Sequence, residues 1–138
     1  MAGIVPKAAE TDTLTDMIAS ILSTAKMHLF SGNITPDANT TLATLAANEA
    51  SFTGYSAQTL STWSSPSIDG TNAAVSTSTQ GQFTGTGVGG TGNLYGYYLT
   101  NSGSTKLYGC ERFAGAPLSQ AQNVTLEVDV TYSTITRF

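Results

Sequence analysis

The sequence holds one cysteine, Cys110, and one histidine, His28, in 138 residues. A single thiol excludes an internal disulfide framework, and no cluster of Cys or His has metal-ligand spacing. No cofactor or metal is expected. Charge is scarce too: 10% of the residues are charged, against about 25% in ordinary soluble domains. Five basic residues face nine acidic ones, a net charge of −4. That sign opposes phosphate neutralisation, so nucleic acid is not an expected partner. No run approaches the roughly 18 apolar residues of a membrane span, and Met1–Lys7 lacks the basic and apolar stretches of a secretory signal. The expectation is a soluble chain made in the cytoplasm, unprocessed and without a membrane partner.

What the sequence has in quantity is hydroxyl. Serine and threonine number 38, which makes the surface polar without charge and spends β-branched threonine freely, a preference for strands. With 40% hydrophobic residues one core can be built. The length is too short for two independent ones.

Leu14, Met17, Ile18, Ile21 and Leu22 recur at helical spacing, predicting an amphipathic helix over about Asp12–Thr24, capped by Thr11, Asp12 or Thr13. Residues 1–11 then read as an extended arm, either a frayed terminus or a tail that orders on a neighbouring subunit, and residues 12–138 as one β-rich domain. Alternation of Met27 and Leu29 with Lys26, His28 and Phe30 predicts a strand ended at Ser31-Gly32-Asn33. Leu42, Leu45 and Ala46 suggest one short helix near Thr41–Asn48. From Phe52 onward the text reads as β: a strand over Tyr55–Trp63, a long one over Ala73–Phe83, and a hairpin of Leu94–Thr100 and Lys106–Phe113 about the turn 101–105. A last strand runs over Val124–Tyr132. Gly85–Gly92 holds five glycines in eight residues and predicts a flexible loop. The fold class expected is mainly β, an antiparallel β-sandwich or jelly roll, with the N-terminal amphipathic helix over an edge or open end.

Few residues form a chemical constellation. The glycine loop lacks the Gly-Lys-Ser/Thr of a phosphate loop and leads into a strand, not a helix. Cys110 and His28 would make a thiol dyad only without any flanking signature, so a buried or semi-buried strand thiol is expected. Glu127 and Asp129 share a strand face, but acid–base work on a glycoside needs two carboxyls across a cleft. The aromatic residues Tyr55, Trp63, Tyr95, Tyr97, Tyr98, Tyr108 and Phe113 suit a core or an interface, or else a stacking platform for sugars. No catalytic residue is assigned and no enzyme activity is expected.

The stretches Leu29-Phe30-Ser31-Gly32-Asn33-Ile34-Thr35-Pro36, Thr40-Thr41-Leu42-Ala43-Thr44-Leu45 and Ala50-Ser51-Phe52-Thr53-Gly54-Tyr55 through to Trp63 resemble small structural proteins of tailed-bacteriophage head modules. Leu94–Thr100 followed by Cys110-Glu111-Arg112-Phe113 is similar to the matching hairpin. The likeness spans about Leu29–Val130 and implies a capsid decoration, or cement, protein: a non-enzymatic virion subunit on the outer capsid surface. Its expected partners are the major capsid protein and itself, as a homotrimer. The contact regions expected are the arm (Ala2, Gly3, Ile4, Val5, Pro6, Lys7), the glycine loop (Gly85, Val88, Gly90) and the C-terminal end (Ile135, Arg137, Phe138). The rival expectation is a carbohydrate- or receptor-binding module of a tail fibre or spike, using Trp63 and the tyrosines.

Overall fold

A computed structural model describes residues 5–71 and 73–133. The chain is mainly β, with antiparallel sheets, one long N-terminal helix and one short helix. Helix α1 spans Lys7–Ser20 and a 3₁₀ turn follows at Leu22–Thr24. The helix starts five residues before the expected point. Pro6, extended at φ −64°, stands at its N-cap and accepts from the Glu10 amide at 3.1 Å, and the good helix formers Ala8, Ala9 and Glu10 follow. Residues 7–11 are therefore helix, not arm. The threonines expected to cap it bond back instead: Thr11 Oγ1 donates to the Ala8 carbonyl and Thr13 Oγ1 to that of Ala9, each at 2.8 Å. Its apolar face is as read: Leu14 and, beyond it, Leu22 are fully buried, with Met17, Ile18 and Ile21 packed beside them.

The strands are β1 (Lys26–Phe30), β2 (Gln58–Thr59), β3 (Ser67–Ile68), β4 (Ala74–Thr77), β5 (Gly81–Thr84) and β6 (Gly92–Leu94), then β7 (Gly96–Thr100), β8 (Leu107–Arg112), β9 (Leu118–Gln120), β10 (Thr125–Val128) and β11 (Thr131–Ser133). Helix α2 covers Leu42–Ala46, with the Thr41 hydroxyl capping the Thr44 amide at 3.3 Å. Pairing from β4 onward is nested: β7 with β8, β6 with β9, β5 with β10 and β4 with β11. The chain from Ala74 to Ser133 is thus one long antiparallel ribbon, doubled about the turn 101–106 and folded over. Eight strands are paired in this nested order, all antiparallel. β1 and β2 extend it beside β7, in the order β2-β1-β7-β8.

Two expected strands are each broken, and broken at the same level. Ala73–Phe83 becomes β4 and β5, while Val124–Tyr132 becomes β10 and β11. The register shifts by one residue between the halves, from Thr77↔Thr131 to Gly81↔Val128. The Ser78 amide bridges the gap to the Val130 carbonyl at 2.9 Å. There the ribbon bends, and the extra residue lies on one side: alternation runs on unchanged through Val128 and Val130, while on the other strand the buried positions shift parity, from Ser76 and Ser78 to Gly81 and Phe83. The expected Tyr55–Trp63 strand shrinks to β2 and one bridge, Trp63↔Ser78.

The main core draws on several sheets. Met27, Leu29, Tyr97 and Leu99 from the four-stranded sheet meet Phe83, Val128 and Val130 from the bent ribbon. The opposite sheet face is covered as well: Phe30 and Tyr98 pack with Leu45 of α2. β1 is therefore buried on both sides from Met27 to Phe30, which places His28 inside.

Candidate functional site

The expected contact regions fare differently. Ala2, Gly3 and Ile4, like Ile135, Arg137 and Phe138, lie outside the described residues. Val5 is exposed, as are Pro6 and Lys7 at the start of α1. The glycine loop is described in full, and it is no free hairpin tip. It joins β5 to β6, which do not pair with each other. Its backbone is bonded to two other segments: Thr86 N to Thr53 O and Thr53 N to Gly89 O, both 2.8 Å, and Asn123 N to Gly85 O at 2.7 Å. The Asn123 side chain accepts from the Gly87 amide at 3.2 Å. Gly87 has φ +62°, a conformation L side chains rarely adopt. The backbones at Gly85 and Gly90 approach so closely that a Cβ on either would strike the other. The loop is pinned, and its apolar tip points outward: Val88 is 87% exposed, and Val124, on the turn bonded to it, 50%.

The aromatic residues face the other way. Trp63 is half-buried and its Nε1 donates to the carbonyls of Leu22 and Leu60 at 2.9 and 3.0 Å. Tyr97 and Tyr98 are buried, and Tyr132 donates to the Tyr108 carbonyl at 3.1 Å. Tyr95 carries the Arg112 guanidinium 5.1 Å over its ring. These rings build core and bind neighbours instead of forming an open stacking platform.

Sequence reasoning missed Glu49, the centre of the most connected polar cluster. His28 Nδ1 lies 2.7 Å from Glu49 Oε1, which also accepts from the Tyr55 hydroxyl at 2.8 Å, and the same carboxylate raises the Tyr98 hydroxyl beside it. His28 Nε2 meets Thr100 Oγ1 at 3.0 Å and Ser104 Oγ at 3.4 Å, and the ring stacks on Tyr98 at 4.6 Å. A hydroxyl, imidazole and carboxylate in a row have the connectivity of a nucleophile relay. Here, however, the nearer hydroxyl is the fully buried Thr100, whose Oγ1 donates to the Asn101 carbonyl at 2.9 Å. The cluster ties β1 and β7 to the segment ahead of Ser51. The signal available in the sequence was His28 itself, between two core residues of a strand, which demands a partner.

Cys110 and His28 do not meet. Tyr98 stands between them, paired with His28 on one side and Cys110 on the other. Burial, with Asp37 nearby, pushes the thiol up, away from a nucleophilic thiolate. Glu127 and Asp129 are exposed and line a shallow groove of about 230 Å³, together with Glu111 from β8. Glu111 accepts from the Tyr97 hydroxyl at 2.7 Å, and Glu127 from Gln82 Nε2 at 3.2 Å.

Family models, characterised proteins and solved structures give no match to this chain. Among the described residues no group of three His, Cys, Asp or Glu side chains is placed to hold a metal ion, and no helix is long and apolar enough to cross a membrane.

The buried tyrosines set a pH response. Burial drives the hydroxyls of Tyr55, Tyr97, Tyr98 and Tyr132 above their ordinary value, with Glu49 adding to Tyr55 and Tyr98 and Glu111 to Tyr97. A folded-state value above the unfolded one gives stability that is complete below about pH 10, the unfolded tyrosine value, and is lost as pH rises further. Tyrosinate absorbance and circular dichroism are expected to change together above that pH. Full tyrosine ionisation with an unchanged dichroism spectrum would contradict the burial of these hydroxyls.

Proposed function

We propose that the chain is a non-enzymatic structural subunit of a tailed-phage particle: a capsid decoration or cement protein that docks on the lattice of the major capsid protein, as a homotrimer on the outer surface. The observation that carries this reading is the pinned end of the molecule. There the glycine loop and the 121–124 turn, bonded to each other, hold Val88 and Val124 out to solvent. A rigid, uncharged apolar tip loses little freedom when it docks. Full burial of a valine contributes roughly 1.5 kcal/mol or more, and many copies on a lattice make such modest contacts count. The resemblance of Leu29–Val130 to head-module proteins supports the same reading. The inward-turned rings of Trp63, Tyr97 and Tyr98 favour it over a glycan-binding module.

Co-sedimentation with intact particles and with isolated tails tests it. The wild-type chain is expected with particles, and Val88→Asp and Val124→Asp are each expected to weaken binding about tenfold, some 1.4 kcal/mol. Both sites are exposed, so folding is unaffected. Undiminished binding by the double variant, or sedimentation with tails alone, would overturn the proposal.

A further inference from the structure

The groove rimmed by Glu111, Glu127 and Asp129 is longer than its first recess. A second one, of about 170 Å³, adjoins it and shares Tyr97 and Glu111, and the two run between β8 on one side and β10–β11 on the other. β8 is the outermost strand of its sheet, and β10 and β11 are outermost in theirs. The seam therefore lies between strand edges without a neighbouring strand, the ordinary place for an added extended segment.

Its chemistry narrows the occupant. The first recess has an apolar floor that includes Tyr97, Phe113 and Leu126, below a rim of three carboxylates. Among the described residues none of those carboxylates is ion-paired with a lysine or arginine. Arg112, which also lines this recess, has its guanidinium engaged elsewhere, donating to the Ile34 carbonyl at 2.9 Å and lying over Tyr95. The groove calls for an extended segment with one cation and large apolar side chains. This chain has one: Thr134-Ile135-Thr136-Arg137-Phe138, which follows Ser133, a residue that itself lines the second recess.

We propose that the groove receives residues 134–138 of a second copy of the chain. Arg137 then answers the acidic rim, while Ile135, on the same face of an extended segment, covers the apolar floor. The alternation of threonine with Ile135 and Arg137 suits a strand. Five extended residues reach about 16 Å, enough to pass a four-residue strand such as β10. In a closed ring every groove is filled and every tail is seated. An acidic chain that associates with itself gains from placing its cation where the carboxylates gather.

Self-association of the full-length protein, measured by sedimentation velocity without phage particles, tests this independently of capsid docking. A failure here leaves the docking reading standing, and the converse holds. The wild type is expected to be oligomeric. Arg137→Glu is expected to weaken association at least tenfold, and so is the pair Glu127→Lys with Asp129→Lys. Combining the three changes restores association, because the charges are exchanged. All three positions are surface charges or lie in the tail, and circular dichroism of each variant verifies the fold. The proposal is overturned by a monomeric wild type, by an unaltered mass for Arg137→Glu, or by a combined variant that stays monomeric. It is also overturned if removing residues 2–6, and not Arg137→Glu, dissociates the protein, since the occupant is then the N-terminal arm.

Discussion

Glu49→Leu is expected to lower stability by about 3 kcal/mol, the lower end of what breaking a buried pair costs, since the Glu49 side chain keeps 32% of its surface in water. Two donors converge on this carboxylate, His28 Nδ1 and the Tyr55 hydroxyl, with the Tyr98 hydroxyl beside it. Leucine fills similar space and accepts from none of them. His28 and Tyr98 are buried and cannot turn to solvent, so their desolvation is left uncompensated. Glu49→Gln retains one acceptor oxygen and is expected to lose about half as much. Urea denaturation distinguishes these outcomes: the midpoint shifts while the slope is retained. A change below about 0.5 kcal/mol for Glu49→Leu would mean that the cluster is decorative.

Gly96→Ala is expected to be as severe, for the opposite reason. Gly96 pairs with Phe30 on one side and Arg112 on the other, and a Cβ there would strike the Glu111 carbonyl and the edge of the Phe30 ring. Phe30 is fully buried against Leu45 and Tyr98 and has no vacant space to enter. Overpacking between fixed neighbours costs about 3 kcal/mol. The thermal midpoint is expected to fall by roughly 10 °C. A well-behaved variant that melts with the wild type would show that this strand crossing is looser than described.

The parts of the fold that sequence made legible are those where local chemistry alone decides. The hairpin of β7 and β8 is announced by its turn, and Asn101 does there what an asparagine at a turn is expected to do: its Oδ1 accepts from the amides of Thr105 and Lys106 at 2.7 and 2.9 Å. The apolar stripe of α1 was plain because Leu14 to Leu22 repeats at helical spacing. Its start was not, because Thr11, Asp12 and Thr13 look like caps while Pro6 takes that position. The bend between β4 and β5 was invisible, since alternation continues through Ser76, Thr77, Ser78 and Thr79. β3, β6 and β9 are two or three residues long, too short to display a period. The candidate surfaces were half legible. A run of five glycines marks a loop, but that it is stapled to Thr53 and Asn123 depends on contacts distant in sequence. Glu49 lies 21 residues from His28, and nothing near it announces the meeting.

The nesting of the strand pairs also dictates how the molecule can assemble itself in time. Partners closest in the chain flank the turn 101–106, and each later pair lies just beyond the one before. Once β7 and β8 have zipped, β6 finds β9 across a short gap, then β5 finds β10, and β4 finds β11 last. Within the ribbon no step requires a long, open loop to close unaided, although Val75 and Ser133 end up side by side; β1, outside it, must find β7 from far along the chain. A topology dominated by distant contacts would otherwise fold slowly and leave sticky edges bare. The nested ribbon escapes part of that penalty because it is, topologically, one hairpin that keeps growing from its tip.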